Sequence, residues 1–245
     1  MKIFLSSTLF IAFTAGAAPV ATAAPIFYGP SSYLQASDSP FSGLTLSYFH
    51  LETFEDGLLN TPGVTSSGGA VTGPGGITDS VDADDGIIDG SGVAGRSFFG
   101  GGSTGFTFTF DETALGAFPT VAGIVWTDGA EFNTVTFEAW DAFGASLGTI
   151  VAPNIGDGNF LSGTAEDRFF GVSNDTGISR IRIFNSVMTG SGSGIEADHL
   201  QYGAQVQAVP EPATLLLFGA GLALLANRSR RNARARRHSG GSRSH

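Results

Sequence analysis

"GFTFTF" occupies residues 105–110. Phe106, Phe108 and Phe110 alternate there with Thr107 and Thr109. A period of two places the three rings on one face of a β-strand and both hydroxyls on the other. The same pattern recurs along the chain. In "NTVTFEAWDAFG" (133–144), Val135, Phe137 and Ala139 share a side. In "ISRIRIF" (178–184), Ile178, Ile181 and Ile183 stand against arginines, roughly in period. Further strand candidates are "LTLSYFHLETF" (44–54), "AGIVWTD" (122–128), "DRFFGV" (167–172) and "IEADHLQYG" (195–203). Glycine-rich turns separate them at short spacing, and no stretch between them sustains a helical period. Many short strands with such turns predict an all-β body, an antiparallel β-sandwich.

Composition supports this. The 245 residues include 36 glycines and 21 phenylalanines, and only 14% are charged. Phe, Val, Ile and Thr suit pleated surfaces, while Gly, Asp, Asn and Ser suit turns. The net charge of -10 is unevenly spread. Seven arginines lie from Arg228 onward, and the one lysine is Lys2. Residues 25–209 hold only Arg96, Arg168, Arg180 and Arg182 against 21 acids, a net charge of −17. Such a body repels nucleic acid and anionic membranes. With no cysteine in the chain, disulfides, thiolate metal sites and cysteine nucleophiles are excluded.

Residues 57–104 read differently. "NTPGVTSSGGAVTGPGGITDSVDADDGIIDGSG" has few large apolar residues and predicts a loop-rich insertion on the sandwich. Its acidic part, "DSVDADDGIIDG" (79–90), carries Asp79, Asp82, Asp84, Asp85 and Asp89. Closely spaced carboxylates on a turn-rich backbone suit calcium, which takes six to eight oxygens. A calcium site at Asp82, Asp84, Asp85 and Asp89 is therefore one expectation. The spacing is not that of an EF-hand, because Val81 and Ala83 stand where acids belong. A second expectation centres on Asp198. Counting by twos from Leu200 and Tyr202 puts Asp198 and Glu196 on the same, inward face of a strand. An inward carboxylate needs a partner. A bound metal, or a hydrogen bond or salt bridge to Arg168 or Arg182, would supply one.

No catalytic set stands out. "GGSTG" (101–105) matches Gly-x-Ser-x-Gly, but the strand after it excludes a nucleophile elbow, which needs a helix there. His50 and His199 are the body's two histidines, each inside a strand candidate and each expected to be structural. Neither His-x-x-x-His nor His-Glu-x-x-His occurs, which argues against a zinc hydrolase. Glu131, Glu138, Asp141, Glu166 and Asp167 are raw material for a carboxylate pair that cleaves glycans. Trp126, Trp140, Tyr28, Tyr33, Tyr48 and Tyr202 are candidates for stacking on sugars, with most expected in the core.

The two ends carry sorting information. "MKIFLSSTLFIAFTAGAAPVATAAP" has a positive start at Lys2, an apolar centre from Ile3 to Phe13, and small residues at Ala21-Thr22-Ala23. It reads as a signal peptide over 1–23, cut by signal peptidase after Ala23. At the other end, Ala213 to Ala226 is an uncharged run. As a helix it spans roughly 21 Å, short of a bilayer core of about 30 Å. Its flanks decide the reading. Pro210 and Pro212 block helix upstream. Arg228, Arg230 and Arg231 form a stop-transfer cluster of the kind kept on the cytoplasmic side. The expected order is a body over 24–207, a sorting signal over 208–231 with a short transmembrane helix at 213–226, and a basic cytoplasmic tail over 232–245.

Pro210-Glu211-Pro212, the short Gly/Leu/Ala-rich run and the terminal arginine cluster resemble the PEP-CTERM sorting signal. The same segment also goes by the name of an ice-binding-protein C-terminal motif, a label that says nothing of ice. The resemblance implies recognition by an exosortase, a membrane transpeptidase-like enzyme of bacteria that make extracellular polysaccharide. The order of the body's pieces is similar to that of exported PEP-CTERM proteins with jelly-roll bodies. The stretches that carry this are "FHLETFEDGLLNTPGV" (49–64), "GITDSVDADDG" (76–86), "GIVWTDG" (123–129), "TAEDRFFGV" (164–172) and "GIEADHLQYG" (194–203). "DHLQY" also resembles the last strand of carbohydrate-binding jelly rolls. In those, a last-strand acid often joins first-strand acids around a structural calcium, so the resemblance implies calcium at Asp198 with Glu52 or Glu55. The expectation is an exported cell-surface or matrix protein without catalytic activity, a partner of exosortase and of exopolysaccharide. A secreted glycan hydrolase or lyase using paired carboxylates is the alternative.

Overall fold

The computed structural model describes residues 23–75, 77–83, 95–129, 133–156, 166–187, 194–206, 218–228 and 230. Its strands are β1 (Ile26–Ser32), β2 (Leu46–Glu52), β3 (Val64–Ser67), β4 (Ala70–Thr72), β5 (Ser97–Gly101) and β6 (Phe106–Phe110). They continue as β7 (Val121–Gly129), β8 (Asn133–Asp141), β9 (Ser146–Ile155), β10 (Arg168–Ser173), β11 (Ile178–Val187) and β12 (Gly194–Gln205). A short helix, α1 (Glu112–Leu115), is capped by Asp111, whose carboxylate accepts from the Thr113 and Ala114 N–H groups.

All the pairings are antiparallel, and they form two sheets. Sheet A runs β1-β10-β7-β12-β5-β4, with β2 also on β12; sheet B runs β3-β6-β11-β8-β9. The expected sandwich is the fold observed. β12 sits at its centre. One edge lies along β7, and the other is shared by β5 on its first half and β2 on its second.

The two sheets enclose the main core. The alternating rings of β6 are buried, and they meet Trp126, Phe137, Phe170, Ile181 and Ile183. This is what the period-two spacing encodes: one face of each strand leaves water and the other stays in it. Sheet A is buried on its second face as well. There Tyr33, Phe41, Val81, Val121, Val125 and Phe169 form a smaller cluster. The segment after β1 and residues 77–83 supply its cover. Two-sided burial explains why β7 and β12 are almost entirely buried.

The stretch 57–104 is more than an insertion. It supplies β3 to sheet B and β4 and β5 to sheet A. Its Phe98 lies in the main core. The serine and glycine around these strands hid them: β3 is Val-Thr-Ser-Ser and β4 only three residues long. Edge strands of this kind need little apolar content, because only one short face is covered. "GGSTG" is the turn that carries the chain from β5 in sheet A to β6 in sheet B, closed by Thr104 and Gly105 N–H groups on the Gly101 carbonyl. No nucleophile elbow forms there.

The chain divides into two units, the body to Gln205 and the segment from Val206. In the second, 218–228 is helical, with Phe218, Leu222, Leu224 and Leu225 exposed. No helix among the described residues is long and apolar enough to cross a membrane. The start of the expected transmembrane helix, 213–217, lies outside the described residues, as do all but the last residue of the signal peptide expected over 1–23, and Pro210, Glu211, Pro212 and Arg231.

Candidate functional site

Two buried carboxyl groups, Asp198 and Glu196, lie against residues 77–83 on the outer side of sheet A. The register of β12 explains how they come there. Ala197 faces Trp126 and Asp198 faces Val125, but Gln201 faces Gly123. β12 therefore carries one residue more than β7 across this interval, a β-bulge. His199 sits in it with φ of 44°, in the left-handed region. The bulge reverses the phase of the strand. Leu200 and Tyr202 point into the main core, as do Ile195 and Ala197 upstream. Asp198 and Glu196 do share a face, as their spacing predicts. It is the opposite face, not the inward one expected from counting through the bulge.

Asp198 is completely buried and Glu196 3% exposed. Asp198 Oδ2 accepts from Ser80 Oγ at 2.9 Å and the Val81 N–H at 3.0 Å; Oδ1 accepts from the His199 N–H at 2.6 Å. Burial pushes its pKa up to about 7. Glu196 accepts from Ser97 Oγ and from the Asp79 N–H. Burial raises it to about 8, and Asp128 and Asp79 push the same way. Thr127 Oγ1 ties the loop down further by donating to the Asp79 carbonyl at 2.9 Å.

His199 is held by a directional chain. The Phe41 N–H donates to Ser39 Oγ, and Ser39 donates to Gln201 Oε1. The Gln201 amide N–H goes to Tyr33 Oη at 2.8 Å, so Tyr33 gives its own proton to His199 Nδ1 at 3.0 Å. The imidazole proton is then on Nε2, 3.2 Å from Asp82 Oδ2. Burial lowers the pKa of His199, but the Asp82 bond and the Asp198 charge outweigh it, and the net shift is upward. The sequence marks none of this. Gln201 and Tyr33 are 168 residues apart, and a histidine in a strand gives no sign of a bulge.

Ligand-type atoms of Asp82, Asp198 and His199 lie within 4.8 Å of one another. One residue from each expected calcium set thus meets at a single place, joined by a histidine. Glu55 stands alongside, because Ser80 Oγ also reaches its Oε1 at 3.5 Å. Two carboxylates and an imidazole are a donor set that fits a divalent cation. Glu52 is not part of it. Its carboxylate accepts from the Phe54, Asn60 and Thr61 N–H groups and fixes the loop after β2. Asp84, Asp85 and Asp89 lie outside the described residues.

The other expected partners are elsewhere. Arg182 pairs with Glu138 at 3.4 Å on the outer face of sheet B, and Arg168 donates to the Asp167 carbonyl. The candidate catalytic carboxylates are dispersed. Asp141 caps its own turn through the Phe143 and Ala145 N–H groups. Glu166 and Asp167 are buried just before β10. Glu131 lies outside the described residues. Of the aromatic candidates, Trp126, Tyr33 and Tyr202 are fully buried. His50 packs between the rings of Tyr48 and Tyr202, and burial lowers its pKa.

Trp140 points outward from sheet B, in a row that crosses all five strands. Thr65 faces Thr109, Thr109 faces Arg180, Arg180 faces Trp140, and Trp140 faces Ser146. The Arg180 guanidinium lies over the Trp140 ring, 4.4 Å from its centroid. In the next row Arg182 faces Glu138 and covers the ring of Phe184 at 4.1 Å.

The family profile described as the PEP-CTERM protein-sorting motif matches residues 208–231. The match covers the C-terminal segment and none of the sandwich. Against curated proteins the chain has no match. The arginine cluster expected to stop transfer closes the matched segment, with Arg228 and Arg230 among its described residues. Such a signal marks a membrane-anchored precursor that exosortase processes for release to the cell surface or beyond. The chain is an exported protein that carries a PEP-CTERM sorting motif.

Proposed function

We propose that the body is a non-catalytic surface or matrix module that binds extracellular polysaccharide. The observation that carries this reading is the outer face of sheet B. It presents stacked arginine and aromatic side chains flanked by threonine and serine hydroxyls. Sugars are bound by such combinations of planar faces and fixed hydrogen-bond donors. Asp198 and Glu196, in contrast, lie buried under residues 77–83 and accept hydrogen bonds from Asp79, Ser80, Val81 and Ser97.

The test is recovery of the mature protein from the native envelope and medium. Mass spectrometry should find a species that starts at Ala24 and lacks Arg228 to His245, and that co-sediments with extracellular polysaccharide. It should release no reducing ends or unsaturated sugars from that polysaccharide. Turnover of the glycan would replace this reading with the hydrolase or lyase alternative.

A second reading concerns a divalent cation, and the convergence of Asp82, Asp198 and His199 favours it. These residues would hold the ion, and it would supply positive charge that pins residues 77–83 to β12. Millimolar calcium or manganese should raise the melting temperature of the wild type but not of Asp82→Asn. Equal, unshifted melting of both proteins with either metal would end the cation reading.

A further inference from the structure

The body carries four arginines against 21 acids. Two of the four, Arg180 and Arg182, sit one outward step apart on β11, at the middle of sheet B. Their states differ. Arg182 is engaged, donating to Glu138 Oε2 and to the Thr104 carbonyl. The Arg180 guanidinium makes no hydrogen bond to the other described residues and stacks on Trp140. Stacking fixes the plane of the guanidinium and leaves its N–H edges free. A fork of this kind matches a carboxylate in two-point contact.

The row around it sets the size of the partner. Thr65, Thr109 and Ser146 continue the line of Arg180 and Trp140 across the sheet. Five strands at about 4.8 Å spacing give a track of roughly 19 Å. That is a path for a chain, with hydroxyls at its ends and the stacked Arg180 guanidinium at its centre. Elsewhere the body is strongly acidic, so a polyanion would be repelled from most of its surface and admitted here.

We infer that this track binds a carboxylated polysaccharide, with Arg180 gripping a uronate carboxylate. The inference rests on the polysaccharide-binding reading and narrows it to acidic glycans.

The mature protein, which lacks Arg228 to His245 and so the arginine-rich tail, is titrated at low salt with polygalacturonate, its methyl ester, neutral dextran and poly-glutamate. The expected result is binding of polygalacturonate alone. Arg180→Gln should weaken it by about tenfold, the loss expected for a charge-assisted contact, with an unchanged melting temperature. Glu138→Gln, which releases Arg182 from its internal partner, should tighten it. Binding of the ester or dextran with no dependence on Arg180 would overturn the acidic-glycan inference and leave the polysaccharide reading standing. Binding of poly-glutamate as tight as that of polygalacturonate would make the track a general polyanion site and overturn the choice of a glycan. Binding of none of the polysaccharides would end both.

Discussion

Glu196 offers a sharp test of how the outer side of sheet A is built. The carboxyl is 3% exposed, and burial lifts its pKa from 4.5 to about 8. Between those values the folded protein keeps a proton that the unfolded chain has lost. Stability must then fall as pH rises, by about 1.4 kcal/mol per pH unit for one group. Integrated from about pH 5 to about pH 8, Glu196 alone removes roughly 3 to 4 kcal/mol. Glu196→Gln keeps an acceptor for Ser97 and for the Asp79 N–H, and it cannot ionise. Urea unfolding of both proteins, in chelator, measures the difference at each pH. The two should lie close near pH 5, and the variant should become the more stable by that amount near pH 8. Asp198, raised to about 7, slopes in the same direction in both proteins and cancels from the difference. Parallel curves for wild type and variant would show that Glu196 is not held protonated, and the account of a dry carboxyl under the loop would fail.

Phe137→Ala removes a fully buried ring stacked against Phe170, and should cost about 3 to 5 kcal/mol in the same assay. Gly105→Ala places a Cβ 2.0 Å from the Ile183 carbonyl oxygen at φ of +59°, so it should destabilise the fold by at least about 2 kcal/mol in the same assay. Imidazole ¹⁵N spectra of the wild type should show His199 protonated on Nε2, with Nδ1 as acceptor. Tyr33→Phe should remove that preference and lower stability by about 1 kcal/mol or more; an unchanged tautomer would refute the Gln201–Tyr33–His199 order of donors.

The sandwich was legible because one-sided burial leaves a period of two in the chain. The rings of β6 and the isoleucines of β11 fall on the core side as their spacing predicts. β3 and β4 escaped because short edge strands carry almost no apolar signal. The candidate site was legible only in its ingredients. Asp82 and Asp198 could be named from residue type alone, but they were assigned to separate sites. Their meeting depends on 77–83 folding back over β12, a contact between residues more than a hundred positions apart. Glu52 read as a ligand partner because its role, collecting three backbone N–H groups, depends on a loop geometry that residue types do not encode. The inward assignment of Asp198 failed at a single residue. A bulge shifts the phase of everything upstream of it, and nothing in the letters around His199 announces one.

The position of β12 also bears on the order of events during secretion. It is the last strand of the body, and its partners β7, β5 and β2 flank it on both sides. Until it is in place sheet A has a gap at its centre, and three strands expose unpaired edges. Only a few residues separate Gln205 from the sorting motif at 208. A chain threading outward from its N-terminus therefore delivers its keystone strand at nearly the same moment as its sorting signal. Premature closure on the inner side of the membrane is disfavoured for as long as that strand is missing. The strand that completes sheet A is thus also the one that adjoins the sorting signal, so closure of the sandwich and delivery of the signal are coupled by position in the chain.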